Sequence, residues 1–362
     1  MQIFVLTDFP SPYQTEIFNR IAETADVELH VGYLRRSDPL RQWSATCILH
    51  NAIFLDQSRD SFSSARHLVN ATDLAVFNYY LHPYAQELLS IRAQLKKPWS
   101  FWGERPGVRK PAWVGQIVRQ WKLRWLHSSV ASIWGVGKFA VDGYTREFGA
   151  DRSYFNLPYF SDLKRFSNGG SDLKPKQQET VFLFSGSLIE RKGIDLLAQA
   201  FAVLANDFKH VRLKIMGAGE LQGSLRSTLH HVRDRVDFVG FKDWNELPDH
   251  YRAADVLCVP SRYDGWGLVV PEGLAAGLPV IATDRMGAGL EFIETGRNGW
   301  LIPAGNCNAL LNALRDAASL STQELSSLSS EARESVREHT LDGGARRFVQ
   351  YANEAVGNWH VR

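Results

Sequence analysis

Two series of short apolar segments, each alternating with helical patterns, constrain the fold of this chain more than any other feature. The first series lies at 2–7, 27–34, 74–79, 98–102 and 128–136. The second lies at 180–188, 211–217, 236–241, 255–261, 279–283 and 299–303. Short strands separated by helices are typical of open, doubly wound α/β sheets. The sequence therefore predicts two Rossmann-like domains facing a central cleft, with ligands at the carboxyl ends of the strands.

A polar stretch without periodicity, SNGGSDLKPKQQET, separates the two series. Its composition is typical of a linker or a long surface loop. We predict an N-terminal domain over 1–165, a linker over 166–179 and a C-terminal domain over 180–342. The final segment, 343–362, has a helical pattern that we expect to pack back onto the first domain. A chain of 362 residues is long enough for two cores.

Composition excludes several classes of protein and site. Cys47, Cys258 and Cys307 are widely spaced and form neither a disulfide framework nor a zinc motif, and Cys258 is expected in a buried strand. The N-terminal residues MQIFVLTDFP lack the basic start of a signal peptide and predict a first strand. No stretch approaches the roughly 18 apolar residues of a membrane span. We expect a cytoplasmic protein, which leaves attachment to the inner face of the cell membrane open.

The segment SRYDGWGLVVPEGLAAGLPVIAT, at 261–283, predicts a loop that enters a helix near Pro271. Unpaired donors and the positive end of the helix dipole favour an anion at such a start. Glu272, in the first turn, could face the hydroxyl pair of a ribose. The alternative is a capped helix entry beside a structural turn. The residues whose backbone would approach the anion are Gly265, Gly267, Leu268 and Val269.

Two upstream segments repeat this strand, glycine and helix arrangement. FLFSGSLIERKGIDLLAQAF places Arg191 and Lys192 just before a helix, where they could face a diphosphate. A charged helix start is the alternative. KIMGAGELQGSL contains Gly217 at a second strand exit, a weaker signal. In DFVGFKDWNEL, Phe241 stands where a base could lie.

Taken in order, these segments resemble the second domain of retaining glycosyltransferases of family four. The resemblance rests on GSLIERKGIDLL, IMGAGEL, FVGF, YRAADVLCVPSRYDGWGLVVPEGLAAGLPVIAT and GLEFIETGRNGWLI. It extends over residues 180–305 and is weaker over the first 160 residues. It implies the two-domain GT-B fold, with a sugar nucleotide in the second domain and the acceptor in the first.

The resemblance also implies roles for individual residues. Glu272 would hold the ribose hydroxyls, while Asp264 and the backbone of Gly265, Trp266 and Gly267 would face the sugar and the phosphates. Asp264 is one methylene shorter than the family's usual Glu, which bears on the preferred sugar.

A second departure concerns the phosphates. The family's Arg after the first glycine, here Gly186, is replaced by Ser187, while Lys192 keeps the family's Lys. The pyrophosphate would lose a bidentate partner unless Arg191 or Arg262 replaces it.

In the first domain, TDFPSPYQTEIF follows the first strand. Ser11 could cap the next helix, so that the N–H groups of Tyr13 and Gln14 point into the cleft. A plain helix start is the alternative. His82, in NYYLHPY, follows another strand and is a second cleft candidate, although a lone His is more often structural.

The stretch FWGERPGVRK contains two further candidates for the acceptor side. Glu104 could position or deprotonate an acceptor hydroxyl within hydrogen-bond reach, beside Arg105. A surface Glu–Arg pair is the alternative.

The stretch VRKPAWVGQIVRQWKLRWLH, at 108–127, is basic and rich in tryptophan, with no acidic residue. Three interpretations remain open: a helix in the headgroup plane of an anionic membrane, a core helix with buried tryptophans, and a nucleic-acid surface. The formal net charge of +2 does not select among them.

We therefore predict a retaining, metal-independent glycosyltransferase without a cofactor. It would move a hexose or deoxyhexose from UDP or GDP onto a hydroxyl of a glycan or lipid-linked acceptor, in bacterial surface polysaccharide biosynthesis. Catalytic roles fall to Glu104, Lys192 and Asp264, and nucleic acid is not expected as a partner. The alternatives are a nucleotide-sugar epimerase, a phosphorolytic enzyme, or a non-catalytic sugar-binding or membrane scaffold.

Overall fold

The computed structural model describes residues 1–38, 47–106, 112–167 and 179–360. The chain divides into two compact units, each built on one parallel sheet. One unit comprises Met1–Asp162 with Thr340–Arg362, and the other comprises Leu163–His339. Most of the linker predicted at 166–179 lies outside the described residues.

The first unit alternates strands and helices along the chain. Its elements are β1 (Gln2–Thr7), α1 (Pro12–Ala22), β2 (Glu28–Tyr33), β3 (Asn51–Phe54), α2 (Arg59–Ala71), β4 (Leu74–Phe77), α3 (Pro83–Gln94), β5 (Trp99–Gly103), α4 (Ala112–Lys122), α5 (Arg124–His127), β6 (Ser132–Gly135), α6 (Lys138–Phe148) and β7 (Tyr154–Asn156). The sheet has the parallel order β3–β2–β1–β4–β5–β6–β7. The order reverses between β1 and β4, and such a switch point is where these sheets bind ligands.

Continuous apolar runs explain why the central strands lie inside this unit. β1 reads QIFVLT, and the side chains from Ile3 to Leu6 are fully buried. The four residues of β4, LAVF, are buried as well. Strands covered by helices on both faces show such runs, because neither face meets water.

The second unit repeats the same plan. Its elements are α7 (Lys164–Ser167), β8 (Thr180–Ser185), α8 (Ile194–Asp207), β9 (Val211–Met216), α9 (Gln222–Thr228), β10 (Val236–Gly240), α10 (Leu247–Arg252), β11 (Val256–Val259), α11 (Val269–Ala275), β12 (Val280–Thr283), α12 (Gly287–Phe292), β13 (Gly299–Ile302), α13 (Cys307–Ser319) and α14 (Thr322–Ser335). The parallel order is β10–β9–β8–β11–β12–β13. Its switch point lies between β8 and β11.

The chain ends in helix α15 (Leu341–His360), which belongs to the first unit. It packs along α1, and the Phe348 ring meets the Trp134 ring edge-on at 5.2 Å between centroids. A Cβ at Gly344 would lie 2.6 Å from the Phe160 ring, so this glycine allows the helix to approach closely.

Each strand predicted from the sequence is present, and both sheets are doubly wound, as predicted. Cys258 lies in β11 and is buried, which confirms its predicted place. The patterns do not predict β3 or β7. Both are edge strands, of four and three residues, too short to show a period.

Candidate functional site

Glycines bring together the loops that leave β8, β9 and β11. Gly193 has a φ of 69°, and a Cβ there would lie 2.0 Å from the carbonyl oxygen of Pro260, at the end of β11. Gly217, after β9, has a φ of 141°, and its Cβ would lie 1.9 Å from the carbonyl oxygen of Gly186. These backbone approaches leave no room for a side chain, so both positions require glycine. Gly186 and Gly217 thus lie at strand exits, where they were predicted.

The two loops at the switch point are joined by an ion pair. Lys192, in a short 3-10 turn after β8, places its Nζ 2.5 Å from Oδ2 of Asp264, in the loop after β11. Nη1 of Arg191 lies 3.5 Å from the same oxygen and donates to the carbonyl oxygen of Tyr263 at 3.2 Å. Two cations therefore surround one carboxylate at the carboxyl end of the sheet.

This arrangement sets the protonation state of Asp264. Its side chain is mostly buried, and burial by itself raises the pKa of a carboxyl group. The charges and hydrogen bonds of Lys192 and Arg191 outweigh burial and lower the pKa of Asp264 below its ordinary value. Asp264 is therefore a carboxylate near neutral pH and is not suited to act as a general acid there.

Arg262 is committed to a structural contact. Both terminal nitrogens of its guanidinium donate to the carboxylate of Asp195, at 2.7 Å each, and Nη1 also donates to the carbonyl oxygen of Glu190 at 2.5 Å. Arg191 instead makes both of its contacts at the ion pair through a single nitrogen, Nη1. Ser187, where the family has an arginine, is exposed. Of the two arginines that could replace that missing partner of the pyrophosphate, Arg191 is the better placed.

After Asp264 the chain makes a glycine turn into α11. Gly267 has a φ of 94°, which favours glycine. The backbone N–H of Asp264 donates to the carbonyl oxygen of Arg285 at 3.1 Å, which ties the turn to the segment after β12. The helix starts at Val269, two residues before the predicted start near Pro271. Pro271 thus lies in the first turn of the helix, as predicted, where N–H groups lack intrahelical partners. The N–H groups of Gly267, Leu268 and Val269 therefore lie at the helix start, as expected.

The indole of Trp266 is packed inside the unit. It is 2% exposed and contacts the rings of Phe292, at 5.8 Å, and His339, at 6.1 Å between centroids. Its contribution to a ligand at this turn is therefore limited to its backbone. Gly265, beside it, is held close to α12, because a Cβ at Gly287 would lie 2.5 Å from the Gly265 carbonyl oxygen.

Glu272 meets a tyrosine that the sequence patterns do not single out. The hydroxyl of Tyr251, in α10, donates to Oε2 of Glu272 at 3.5 Å. Tyr251 is fully buried, and burial, with the nearby Glu272 charge, raises its pKa well above the ordinary range. The hydroxyl thus stays protonated and can orient the carboxylate. A tyrosine in the short helix before β11 would have been the available signal.

Among the predicted donor-binding residues, Phe241 follows the strand farthest from the switch point of the sheet. It follows β10, the edge strand, and its ring is 39% exposed. An exposed ring at a strand exit is available for stacking, while an apolar ring in the core would not be.

In the first unit, a buried polar network occupies the switch point. The amide nitrogen of Gln14 donates to Oδ1 of Asn78 at 2.7 Å, and the hydroxyl of Thr7 donates to the same oxygen at 3.0 Å. Ser11 donates to Oε1 of Gln14 at 3.1 Å. Ser11 stands at the N-cap of α1 but makes no side-chain cap bond, so its predicted capping role is wrong. The side chains of Ser11 and Gln14 are buried and held by each other.

The predicted acceptor residues after β5 lie next to an aromatic group. Glu104 is exposed, and its carbonyl oxygen accepts from the hydroxyl of Tyr144 at 2.6 Å. The Tyr13 ring packs on Tyr159 at 5.1 Å, and burial, with the charge of Glu104, raises the pKa of Tyr159. Glu104 and Tyr13 are thus near neighbours of one buried tyrosine.

Two other predicted residues have structural contacts. The guanidinium of Arg105 lies over the Phe139 ring, 3.2 Å from its centroid. His82 is the N-cap of α3, and its Nδ1 accepts from the backbone N–H of Tyr84 at 3.1 Å. His82 therefore has a structural role as an N-cap, and its contact with an acceptor stays a prediction.

The described part of the basic, tryptophan-rich stretch, 112–127, contains α4 and α5. Arg109 and Lys110 lie outside the described residues. Trp113 and Trp121 are exposed, so the interpretation as a core helix with buried tryptophans is wrong for these two. It was plausible because the pattern alone does not tell which face of an amphipathic helix meets the protein.

Two absences among the described residues bear on other classes of site. They contain no cluster of three or more His, Cys, Asp or Glu side chains that could hold a metal ion. None of the helices in the described ranges has the length and apolar character needed to cross a bilayer.

The second unit is similar in sequence to known proteins. Residues 171–335 match the family described as glycosyl transferases group 1. The phosphatidyl-myo-inositol mannosyltransferase of Mycobacterium leprae is 36% identical over 142 residues, which cover 39% of this chain and 37% of that protein. The WcaL protein of Escherichia coli K12, named provisionally as a colanic acid biosynthesis glycosyltransferase, is 31% identical over 50% of this chain and 46% of its own length. The chain thus spans less than half the length of these relatives.

Solved structures match over nearly the whole chain. The Alr3699/HepE protein of Anabaena, solved in complex with UDP, superposes with a TM-score of 0.76 at 18% identity, over 98% of this chain and all of that one. At this identity the likeness establishes the fold, which is the two-domain GT-B architecture of glycosyltransferases.

Proposed function

We propose that this chain, whose residues 171–335 match the family described as glycosyl transferases group 1, transfers a sugar from a nucleoside diphosphate to a hydroxyl group with retention of configuration. The observation that carries the proposal is the Lys192–Asp264 ion pair at the switch point of the second sheet. A ligand at a switch point meets the residues that follow the strands on both sides of it. Here these residues are two cations, a carboxylate and a glycine turn.

The donor would extend across this set of residues. Lys192 and Arg191 carry the positive charge that a diphosphate requires, and the backbone at Gly267 adds donors at the start of α11. An ammonium group has three hydrogens, so Lys192 can keep its contact with Asp264 and still donate to a phosphate oxygen. Glu272 would accept from the ribose hydroxyls. The UDP complex of the Anabaena neighbour supports a nucleoside diphosphate as the ligand.

The proposed reaction proceeds on one face of the sugar. The bond between the anomeric carbon and the diphosphate breaks, and the acceptor oxygen bonds to the same face of that carbon. The acceptor proton moves to the departing phosphate oxygen. Lys192 and Arg191 stabilise the charge that develops on the leaving group. Such electrostatic stabilisation is usually the largest single contribution to catalysis. This scheme uses no protein nucleophile and no metal ion.

The acceptor is specified only by its chemical class. The acceptor would be a hydroxyl of a glycan or a lipid-linked sugar, with Glu104 and Tyr13 as its candidate contacts in the first unit. The sugar transferred would be a hexose or deoxyhexose, carried by UDP or GDP. The similarity to WcaL supports a place in surface polysaccharide assembly. A cytoplasmic location, at the inner face of the membrane, is part of the same proposal.

The test is a donor screen with a matched pair of variants. The full-length protein is incubated with UDP- and GDP-sugars and a mixed glycan acceptor, and release of the nucleoside diphosphate is measured. Glu272→Ala should abolish transfer with unchanged circular dichroism, while Glu272→Asp should keep part of it. Near-normal turnover of Glu272→Ala would contradict the proposed site. Conversion of the donor sugar without any acceptor would indicate an epimerase instead.

A further inference from the structure

Helix α4 presents an apolar surface away from the first unit. Its five large apolar side chains are exposed to an extent that is unusual for a folded unit: Trp113 64%, Val114 42%, Ile117 55%, Val118 39% and Trp121 65%. Exposed apolar side chains grouped on one element mark an interaction site, whereas isolated ones do not.

The five side chains lie on one side of the helix. Successive residues of an α-helix turn by about 100°, so positions 113, 114, 117, 118 and 121 fall within an arc of about 140°. Arg119 lies roughly opposite the centre of that arc. We name these five residues the α4 apolar face.

A buried ion pair fixes this orientation. Nε of Arg119 donates to Oε1 of Glu147, in α6, at 2.8 Å, and its Nη2 lies 2.8 Å from Oε2. Arg119 is 9% exposed. The carbonyl oxygen of Lys122 accepts from the side chain of Gln86, in α3, at 2.9 Å. Because the polar side of α4 is bound to the unit, the α4 apolar face points outward.

Charge around this face selects its partner. The segment 108–127 contains no acidic residue, while Lys122 and Arg124 flank the C-terminal end of the helix. The ammonium of Lys122 lies 4.6 Å from the centroid of the Trp121 ring, so charge and indole are adjacent. Tryptophan beside lysine or arginine is the composition of helices that lie among lipid headgroups.

Two other partners fit less well. A nucleic acid would meet the cations but not three aliphatic side chains in the same arc. A second copy of the chain would cover the apolar arc, but α4 of that copy would offer no acidic side chain to Lys122 and Arg124. Neither partner accounts for both the apolar arc and the positive charge.

We propose that α4 lies parallel to the surface of an anionic bilayer, with the α4 apolar face inserted among the headgroups and Trp113 and Trp121 as its anchors. This binding is independent of the proposed reaction. Lys122 and Arg124 add attraction to acidic headgroups, so binding weakens as salt screens them.

The experiment is co-sedimentation of the full-length protein with vesicles of phosphatidylcholine alone, and of phosphatidylcholine and phosphatidylglycerol in equal parts. We expect binding to the anionic vesicles that falls by about tenfold or more when Trp113→Ser and Trp121→Ser are combined. The control is Val203→Ser, which changes an exposed apolar residue on α8 and should bind as the wild type does. If the double variant melts early, Ile117→Asp provides a second test and should also lose binding.

Three results would overturn the proposal. Equal binding of the wild type and of well-folded α4 variants would remove the role of the α4 apolar face. Equal binding to both kinds of vesicle would remove the selection for anionic lipid. A concentration-dependent dimer in analytical ultracentrifugation, lost in the same variants and unaffected by vesicles, would assign the face to a second copy.

Discussion

The ammonium nitrogen of Lys192 lies 2.5 Å from Oδ2 of Asp264, and this contact joins the loops that follow the two strands of the switch point. The residues are 72 positions apart in sequence, so the pairing depends on the parallel register of β8 and β11. It keeps a cation and a carboxylate side by side where a sugar nucleotide would bind.

Lys192→Ala should lower the rate of sugar transfer by about 10²–10³-fold, because it removes the charge closest to the proposed leaving group. Lys192→Arg should keep part of the activity, since the charge remains but the compact ammonium becomes a planar fork. Initial rates of nucleoside diphosphate release give the comparison. A Lys192→Ala protein that is folded and nearly as active as the wild type would contradict the assigned role.

Asp264 also predicts a pH dependence of stability. Its pKa in the folded protein is lower than its ordinary value of 3.8, so its ionised form is stabilised by folding. This contribution is fully present above that value and is lost as the pH falls through the folded pKa. The difference in unfolding free energy between the wild type and Asp264→Asn should stay constant between about pH 5 and 8 and shrink in more acidic solution. Urea unfolding at several pH values measures it, and a difference that widens on acidification would contradict the argument.

Gly193→Ala should destabilise the second unit and weaken nucleotide binding together. A methyl group there would meet the carbonyl oxygen of Pro260 at 2.0 Å, with φ at 69°. Gly223→Ala is the matched control, because a Cβ at Gly223, in α9, meets no atom within 4 Å and its helical position favours alanine by about 0.5–1 kcal/mol. Thermal unfolding of both variants checks this. A Gly193→Ala protein as stable as Gly223→Ala would contradict the close approach of the loops.

Tyr251→Phe removes the hydroxyl that contacts Glu272 and leaves the ring in place. The KM for the donor should rise about three- to tenfold with kcat little changed, which corresponds to one hydrogen bond lost from the orientation of Glu272. Phe166→Leu is the control, since the Phe166 ring packs edge-on against Tyr251 at 5.2 Å and carries no polar group that could bond to the carboxylate. It should lower the melting temperature without changing the donor KM. Equal effects of the two variants on KM would show that Tyr251 acts by packing alone.

The fold could be predicted from the sequence because its strands are continuous apolar runs. β1 and β8 read QIFVLT and TVFLFS, and burial on both faces of a parallel sheet leaves this pattern without polar interruption. The glycines of the site could be predicted from the sequence for a similar reason, since turns at strand exits need them.

The partners of individual side chains were harder to predict, because they depend on residues far apart in sequence. Arg191 and Arg262 were equal candidates to replace the missing arginine at Ser187, and their contacts now separate them, since Arg262 is held by Asp195. Ser11 was expected to cap α1, but Gln14 and Asn78 offer a buried network that the helical pattern does not reveal. The outward face of α4 is likewise decided by Arg119, whose partner lies on another helix.

Calorimetric titration of the full-length protein with UDP and with GDP measures directly whether the switch point of the second sheet binds a nucleoside diphosphate. At least one of the two should bind the wild type, and Lys192→Ala, folded by circular dichroism, should bind it at least about tenfold more weakly. If neither nucleotide bound the wild type, or if Lys192→Ala bound as tightly as the wild type, the proposed donor site would be contradicted.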